Sequence, residues 1–420
     1  MLPIGSLLMK NYIIPKAKEE KMQIKHYGLN LLSVTALGIG SVVGAGIFAL
    51  LGQVIMLAGS QTYYAFVIAG TAALFSGYSY SKLAAAYPDS GGMTDYFHIA
   101  FKSRWAVGTF SLIYVMTSAA SICMMAKSFG IYAVKLFPQV QDTTLFINTA
   151  ACLLIAALAI LNMQRSKDVG DTEITMVSIK VGILVCLVIA ALWHHDLAFA
   201  AAEVPFNEVN FMGSVGVTFF AFAGYGVITN AAGDVKNPRR TIAWGIYLTI
   251  LFVIGLYLTL AYVVLHYIPS QELLANANTA VTIAAARLMG KAGYVLMYLA
   301  AVIAFVSGIG ATYFSIFRIT YALAQEHILP HFYQKRFWRR GTFGNLLTVS
   351  LMLLATVLFD FNAIVNLSSA AYLVSYLAVF AASWILRHQI KAHPYLIVMG
   401  IGLMLFIFAA FIISLVLGNP

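Results

Sequence analysis

Eleven runs of predominantly apolar residues, most of them long enough to cross a lipid bilayer as a helix, divide this chain of 420 residues. A transmembrane helix needs roughly 20 such residues. Charged residues make up only 10% of the chain, against about 25% in soluble domains, so a soluble enzyme is excluded. The chain is predicted to be an all-α polytopic membrane protein with about eleven transmembrane helices. The runs lie at residues 33–57, 61–87, 105–137, 144–163, 173–195, 211–233, 241–267, 292–324, 345–360, 362–387 and 394–418.

The basic residues that give the chain its net charge of +10 are concentrated in the connections on one side of these helices. Such a bias marks the cytoplasmic side of a membrane protein, and it requires no nucleic acid as a partner. We therefore expect a multi-pass protein in contact with the lipid bilayer, with its N-terminus inside and its C-terminus outside. Three cysteines fall inside apolar runs without metal-ligand spacing, so neither a metal site nor a cofactor is predicted. They are Cys123, Cys152 and Cys186.

Glycines interrupt two of the apolar runs. The centre of the first run carries Gly38, Gly40, Gly44 and Gly46, and the sixth run reads Ala-Gly-Tyr-Gly at residues 223–226. A helix broken inside the bilayer is tolerated only where it is buried in protein or lines a cavity, and paired breaks in two equivalent halves point to a transporter's binding site. We expect non-helical backbone in both places, facing one cavity. Close helix packing through small residues is the alternative reading of the glycines.

Four motifs follow one another along the chain. They read Gly-Ser-Val-Val-Gly-Ala-Gly-Ile-Phe in the first run, Pro-x-Ser-Gly-Gly after the second, Lys-Asn-Pro-Arg-Arg after the sixth and Ile-Leu-Pro at the end of the eighth. In this order and spacing they resemble the amino acid–polyamine–organocation (APC) superfamily of permeases. The resemblance implies a LeuT-like five-plus-five inverted repeat in which helices 1 and 6 are unwound. It divides the chain into a cytoplasmic tail (1–28), a transporter core (29–390) and an additional helix 11 (391–420).

The resemblance also implies where a substrate amino acid would bind. Its carboxylate would meet free N–H groups in the unwound first helix, and its amino group would meet carbonyls freed near Val42 and Ala223. Phe220 matches the family's aromatic lid over the substrate. The complete set of predicted substrate-binding residues is Val42, Gly44, Ala45, Gly46, Ile47, Phe220, Ala223, Gly224 and Gly226.

Lys180 lies in the fifth apolar run among apolar neighbours. A charged residue at such depth is costly and is a functional hypothesis by default, although a lysine near a helix end can also extend to the interface. Sodium-independent members of the APC superfamily carry a lysine in helix five in place of a sodium ion. The resemblance therefore implies that Lys180 couples transport together with Ser307, with the proton as the candidate coupled ion. A second intramembrane lysine, Lys127, receives no role.

The predicted function is secondary active transport of an amino acid by alternating access across the cytoplasmic (inner) membrane, without sodium. Many relatives carry an acid where Gly226 stands, so a neutral substrate is expected. An amino acid or amine exchanger and a cationic amino acid or polyamine permease are the alternatives. A non-transporting sensor and a membrane-embedded enzyme are more distant, since the helices lack the converging acids or histidines that catalysis needs. A monomer or weak oligomer is expected.

Overall fold

A computed structural model describes residues 29–88, 92–137, 139–140, 143–164, 169–194, 206–232, 235, 237–338 and 341–418. Helices account for most of this part of the chain, and a two-stranded antiparallel hairpin of β1 and β2 is the sheet found in it. The helices are α1 (Leu31–Ala58), α2 (Thr62–Ala86), α3 (Met93–Ala100), α4 (Arg104–Val134), α5 (Thr143–Gln164), α6 (Val169–Trp193), α7 (Glu208–Phe222), α8 (Val227–Asn230), α9 (Pro238–Tyr267), α10 (Ser270–Ala275), α11 (Ala280–Gln325), α12 (Phe343–Leu358), α13 (Phe361–Leu386) and α14 (Pro394–Leu417), and the strands are β1 (Arg336–Trp338) and β2 (Gly341–Thr342).

Each predicted apolar run coincides with one of these helices, and the sixth run coincides with the pair α7 and α8. Nine helical stretches of the described residues are long and apolar enough to cross a membrane, and two shorter apolar helical stretches, Leu31–Gly44 and Phe343–Leu358, accompany them. The protein is therefore an all-α, multi-pass integral membrane protein. The count of eleven spans and the inverted repeat stay predictions, as do the orientation of the termini and the division at residues 28 and 390.

The predicted unwinding of the first helix is wrong. Helix α1 is continuous from Leu31 to Ala58 and passes through residues 43–46 without a break. Its glycines instead allow close packing, because a Cβ added at Gly46 would collide with the carbonyl oxygen of Ala221, and one added at Gly52 would collide with that of Ala277. Glycine costs a helix only about 1 kcal/mol relative to alanine, and this packing can offset that cost.

The predicted break in the sixth run is confirmed. Helix α7 ends at Phe222, Ala223 is extended (φ −63°, ψ 145°), and α8 begins at Val227. Gly224 has φ +128°, a conformation that glycine adopts without the steric cost of a side chain. A Cβ at this position would lie 3.0 Å from the hydroxyl oxygen of Ser41, so the break packs directly against α1.

Two connections between the apolar runs have sequences that predict structure. Residues 270–290 have helical character, and the mixture of aromatic and basic residues at 331–340 predicts a helix lying on the membrane surface. The segment at 270–290 is helical as predicted, comprising α10, a 3₁₀ turn at Ala277–Thr279 and the start of α11, and it ends where Gly290 departs from helical geometry (φ 62°, ψ −150°). The prediction of a surface helix at 331–340 is wrong, because a 3₁₀ turn at His331–Gln334 is followed by the β1–β2 hairpin. The aromatic residues of β1 favour strand over helix. The predicted tail at 1–28 lies outside the described residues.

Helix α1 occupies the centre of the bundle. It contacts α6, α7, α9 and α11 along its length, while α2 packs against α9 and α14 packs against α7. At the start of α1, Leu29 forms an isolated parallel bridge with Val235, which follows α8. The centre of α1 and the α7–α8 break lie side by side in the protein interior, where Gly224 packs against Ser41, and most of the predicted site residues are found there.

Candidate functional site

Uncharged aromatic side chains surround the α7–α8 break. The ring of Phe220, the predicted lid, stacks on Tyr372 with centroids 5.1 Å apart. The ring of Tyr225 lies edge-on to those of Tyr80 and Tyr376, at centroid distances of 5.9 and 5.6 Å. The hydroxyls of Ser76 and Tyr225 share a short hydrogen bond. The surroundings of the break are therefore apolar with hydroxyl groups, which suits a small neutral ligand better than a cationic side chain.

Several backbone N–H groups at the break take no part in helical hydrogen bonds. The N–H of Ala223 closes α7 by donating to the carbonyls of Phe219 and Phe220, at 3.2 and 2.9 Å. In the described part of the chain, the N–H groups of Gly224, Tyr225 and Gly226 donate to no backbone carbonyl. The C-terminal end of a helix such as α7 carries partial negative charge. Donors and acceptors are thus available within one short segment.

Lys180 of α6 connects three helices. Its ammonium donates to the carbonyl oxygen of Gly40 in α1 at 2.7 Å and to the hydroxyl of Ser307 in α11 at 3.0 Å. The lysine side chain is fully buried, so the alternative that it extends to the membrane interface is wrong. The contacts with the first and eighth apolar runs that the sequence suggested are present, whereas the coupling role remains a prediction.

A tyrosine makes the corresponding contact on the other side of α1. Tyr257 of α9 is fully buried, and its hydroxyl lies 3.1 Å from the carbonyl oxygen of Val42 and 3.3 Å from that of Ala221 in α7. The sequence reasoning missed this residue. The signal was a tyrosine in the middle of an apolar run, because a buried phenol usually requires a hydrogen-bond acceptor.

The glycine spacing in α1 matches the two contacts, and at Gly46 it accounts for one of them. Gly44 and Gly46 follow Gly40 and Val42 by four residues, so each glycine sits one turn beyond a carbonyl that receives a donor from another helix. A Cβ at Gly46 would collide with the Tyr257 hydroxyl, whereas one at Gly44 would be in ordinary van der Waals contact with the Lys180 ammonium, at 3.6 Å. Gly46 therefore leaves the Val42 carbonyl accessible to Tyr257, while the N–H groups predicted to bind a carboxylate stay within a continuous helix.

The remaining predicted residues lie close to this centre. Ile47 and Phe220 are buried, and Gly226 is adjacent to Tyr80, because a Cβ at Gly226 would lie 3.3 Å from a carbon of the Tyr80 ring. The backbone of Ala45 is part of α1. Assignment of these residues to substrate stays a prediction.

Lys127 of α4 has a separate environment. Its ammonium donates to the carbonyl oxygen of Phe359 at 2.5 Å, at the corner between α12 and α13. It is 6% exposed, and so is a second buried lysine, but it belongs to the periphery of the bundle. Across the described ranges of the chain, no group of three or more histidines, cysteines or acids is arranged to hold a metal ion.

A polytopic helical bundle with an interrupted helix and a buried lysine at its centre defines a membrane transport protein. A sequence model described as amino acid permease matches residues 29–420. The chain belongs to this family of the APC superfamily and is a non-enzymatic amino acid transporter.

Individual relatives cover most of the chain. The inner membrane transport protein YbaT of Escherichia coli is 37% identical over 391 residues, which are 92% of this chain and 90% of the relative. The serine/threonine exchanger SteT of Bacillus subtilis is 22% identical over 86% of this chain and 84% of its own length. The vacuolar cationic amino acid transporter 4 of Arabidopsis thaliana is 26% identical over 86% of this chain and 63% of its own length.

Proposed function

We propose that the protein is a sodium-independent secondary active transporter that moves a neutral amino acid across the cytoplasmic (inner) membrane by alternating access. The observation that carries the proposal is the buried ammonium of Lys180 between Gly40 of α1 and Ser307 of α11. A positive charge fixed to the protein stands where a bound cation would otherwise join these helices. The name of the inner membrane relative supports the location, and the distribution of lysine and arginine supports an inside N-terminus and an outside C-terminus.

The α7–α8 break is the proposed centre of the substrate site. The amino group of the substrate would lie at the C-terminal end of α7 near Ala223, where the helix dipole is negative. Its carboxylate would accept from N–H groups of Gly224 and Gly226, which donate to no backbone carbonyl of the described residues. Phe220, stacked on Tyr372, would cover the side chain of the substrate.

Helix α1 would border this site and would have to move for the substrate to enter. Its residues Val42, Gly44, Gly46 and Ile47 are buried against neighbouring helices, so substrate entry requires α1 to separate from α7 or to unwind there. The carbonyls of Gly40 and Val42 already accept hydrogen bonds from side chains of α6 and α9. Because these bonds would still satisfy the two carbonyls after the helix opens, they favour such a change.

Protonation of Lys180 is the proposed link to a proton gradient. Loss of the proton would remove one charge and one donor from the contact between α1 and α11, so the stability of that contact would depend on the protonation state. A ligand or proton shifts a conformational equilibrium only through such a difference between two states. Ser307 accepts from Lys180 and is the second proposed coupling residue.

A neutral substrate is proposed because the side chains that the described part of the chain places around the break are aromatic or carry hydroxyls, and none of them is an acid. Exchange is the second candidate function, and it is favoured by the similarity to SteT, a serine/threonine exchanger. A cationic substrate is favoured by the name of the Arabidopsis relative, but it would need an acid near Gly226 to pair with its side chain.

Uptake of radiolabelled neutral amino acids into proteoliposomes tests the proposal, with sodium replaced by choline and with imposed pH gradients. We expect uptake without sodium and faster uptake when the outside is acidic. A strict sodium requirement contradicts the role of Lys180 in place of sodium. Uptake that occurs only into vesicles preloaded with amino acid identifies an exchanger instead.

A further inference from the structure

A cavity of about 120 Å³ opens beside the C-terminal end of α4, away from the α7–α8 break. Tyr132 of α4 and Lys135, the residue that follows α4, line one side of it, and Asn276, Thr279 and Thr282 line the other. At about 30 Å³ per water molecule, this volume holds about four waters or one small carboxylate. The distribution of basic residues predicts that this end of the bundle is external.

The polar lining of this cavity, which we call the outer pocket, carries one positive charge, although the hydroxyls of Tyr132 and Thr279 already donate to the carbonyls of Phe48 and Asn276. Lys135 contributes a positive charge, and Tyr132, Thr279 and Thr282 contribute hydroxyls, while none of the lining residues is acidic. The ammonium of Lys135 donates to the side-chain oxygen of Asn276 at 3.1 Å, which is a neutral acceptor. An ammonium has three donors, so it can bind an anion as well.

The acid that lies nearest in sequence to a lining residue of the pocket is already part of an ion pair. Glu272 of α10 forms an ion pair with Arg287. Among the described residues, the lining of the outer pocket therefore carries one positive charge and no acid, and its chemistry is complementary to a carboxylate rather than to an ammonium group.

The buried end of the outer pocket, at Tyr132, lies against α1. Tyr132 is 1% exposed, and its hydroxyl lies 3.4 Å from the carbonyl oxygen of Phe48. The ring of Phe305 packs edge-on against both Tyr132 and Phe48, with centroid distances of 5.5 and 6.4 Å. These aromatic residues separate the pocket from the centre of α1, where the proposed substrate site begins one residue away at Ile47.

We propose that the outer pocket is a carboxylate-binding entry site, in which Lys135 holds the carboxylate of an amino acid before the barrier of Tyr132, Phe305 and Phe48 opens. This inference rests on the proposed function for the identity of the ligand. The anion site itself rests on the lining residues alone.

Cysteine labelling of purified protein tests the anion site without transport. Ile283, an apolar lining residue, is replaced in the variant Ile283→Cys, and its reaction is compared for an anionic and a cationic methanethiosulfonate reagent. The wild-type protein with its three cysteines gives the background rate. We expect the anionic reagent to react about fivefold faster than in the double variant with Lys135→Gln, because one unit charge about 4 Å away is worth that factor in water.

Sodium acetate should protect the cysteine of Ile283→Cys from the anionic reagent, whereas methylammonium chloride at equal ionic strength should not. Lys291→Gln is the matched control, since Lys291 is an exposed lysine of the same helix as Ile283 that does not line the pocket. We expect it to change the rate by less than about twofold. An anionic reagent that reacts equally fast with and without Lys135→Gln, or acetate protection that persists in Lys135→Gln, would overturn the anion site.

Uptake kinetics then test the entry role. Lys135→Gln should raise KM about three- to fivefold without changing the maximal rate, the size expected for one exposed charge pair. An unchanged KM overturns the entry role even where acetate binds. If the wild-type protein takes up no amino acid at all, the proposed function fails, and the labelling result alone decides the anion site.

Discussion

The ammonium of Lys180 donates a 2.7 Å hydrogen bond to the carbonyl oxygen of Gly40 in the middle of α1. Two residues further along the same helix, the carbonyl of Val42 accepts from Tyr257 of α9. The backbone of helix α1 thus accepts hydrogen bonds from two directions, in addition to the packing of its side chains. Substitutions of the donors, or of Gly46, which leaves the Val42 carbonyl accessible, should therefore affect transport more strongly than substitutions elsewhere in the bundle.

Replacing Lys180 by methionine removes the donor to α1 and α11 with little change in volume. We expect Lys180→Met to lower uptake at least about tenfold, equivalent to about 1.4 kcal/mol. Lys127→Met is the matched control, since Lys127 is also a buried lysine bonded to a carbonyl, at Phe359. It should lower the melting temperature but leave KM unchanged. Equal effects of both variants on uptake would show that Lys180 is only structural.

Adding one methyl group at Gly46 should destabilise the protein. The new Cβ in Gly46→Ala would collide with the carbonyl oxygen of Ala221 and the hydroxyl of Tyr257, and such overpacking costs about 1–3 kcal/mol. Gly402→Ala in α14 is the control, because its Cβ would meet nothing within 4 Å. Thermal unfolding in detergent should show a lower melting temperature for the first variant and not for the second. Similar melting temperatures would contradict the close packing of α1.

Removing the hydroxyl of Tyr257 separates its effect on the site from its effect on stability. Tyr257→Phe loses hydrogen bonds to Val42 and Ala221 and should cost about 1 kcal/mol of stability. Tyr313→Phe loses the corresponding bond to the carbonyl of Ile155 between α11 and α5, so it should cost a similar amount. We expect only Tyr257→Phe to change the KM for uptake. A KM equal to that of wild type in both variants would place Tyr257 outside the substrate site.

An acid at position 226 should shift the substrate preference. In Gly226→Asp the new side chain begins 3.3 Å from the Tyr80 ring, so the tyrosine must move slightly to admit it. A carboxylate there would pair with a cationic side chain, and a charged hydrogen bond contributes about 1.5–3 kcal/mol. Inhibition of labelled uptake by arginine should become stronger than in wild type. The isosteric Gly226→Asn should not gain this inhibition, and a gain in both variants would attribute the change to volume.

The sequence alone predicts the helices well, because the length and apolarity of a membrane span are local properties. It also predicts the break at 223–226, where Gly224 needs a positive φ angle. It does not predict the continuity of α1, since glycines permit both unwinding and close packing. The deciding contacts, such as that between Gly46 and Ala221, join residues far apart in the chain. The role of Tyr257 as a donor was hidden for the same reason, whereas the cost of burying Lys180 was visible in the sequence.

The bond between Lys127 and Phe359 has a mechanical consequence. Lys127 lies within α4, and Lys135 is the residue that follows its last turn, eight residues or about 12 Å further along the helix direction. A tilt of α4 that widens the outer pocket at Lys135 would therefore pull on the corner between α12 and α13 in the same movement. The helices α4, α12 and α13 would therefore move together, with Lys127 joining α4 to the corner of the other two and Lys135 joining its end to Asn276.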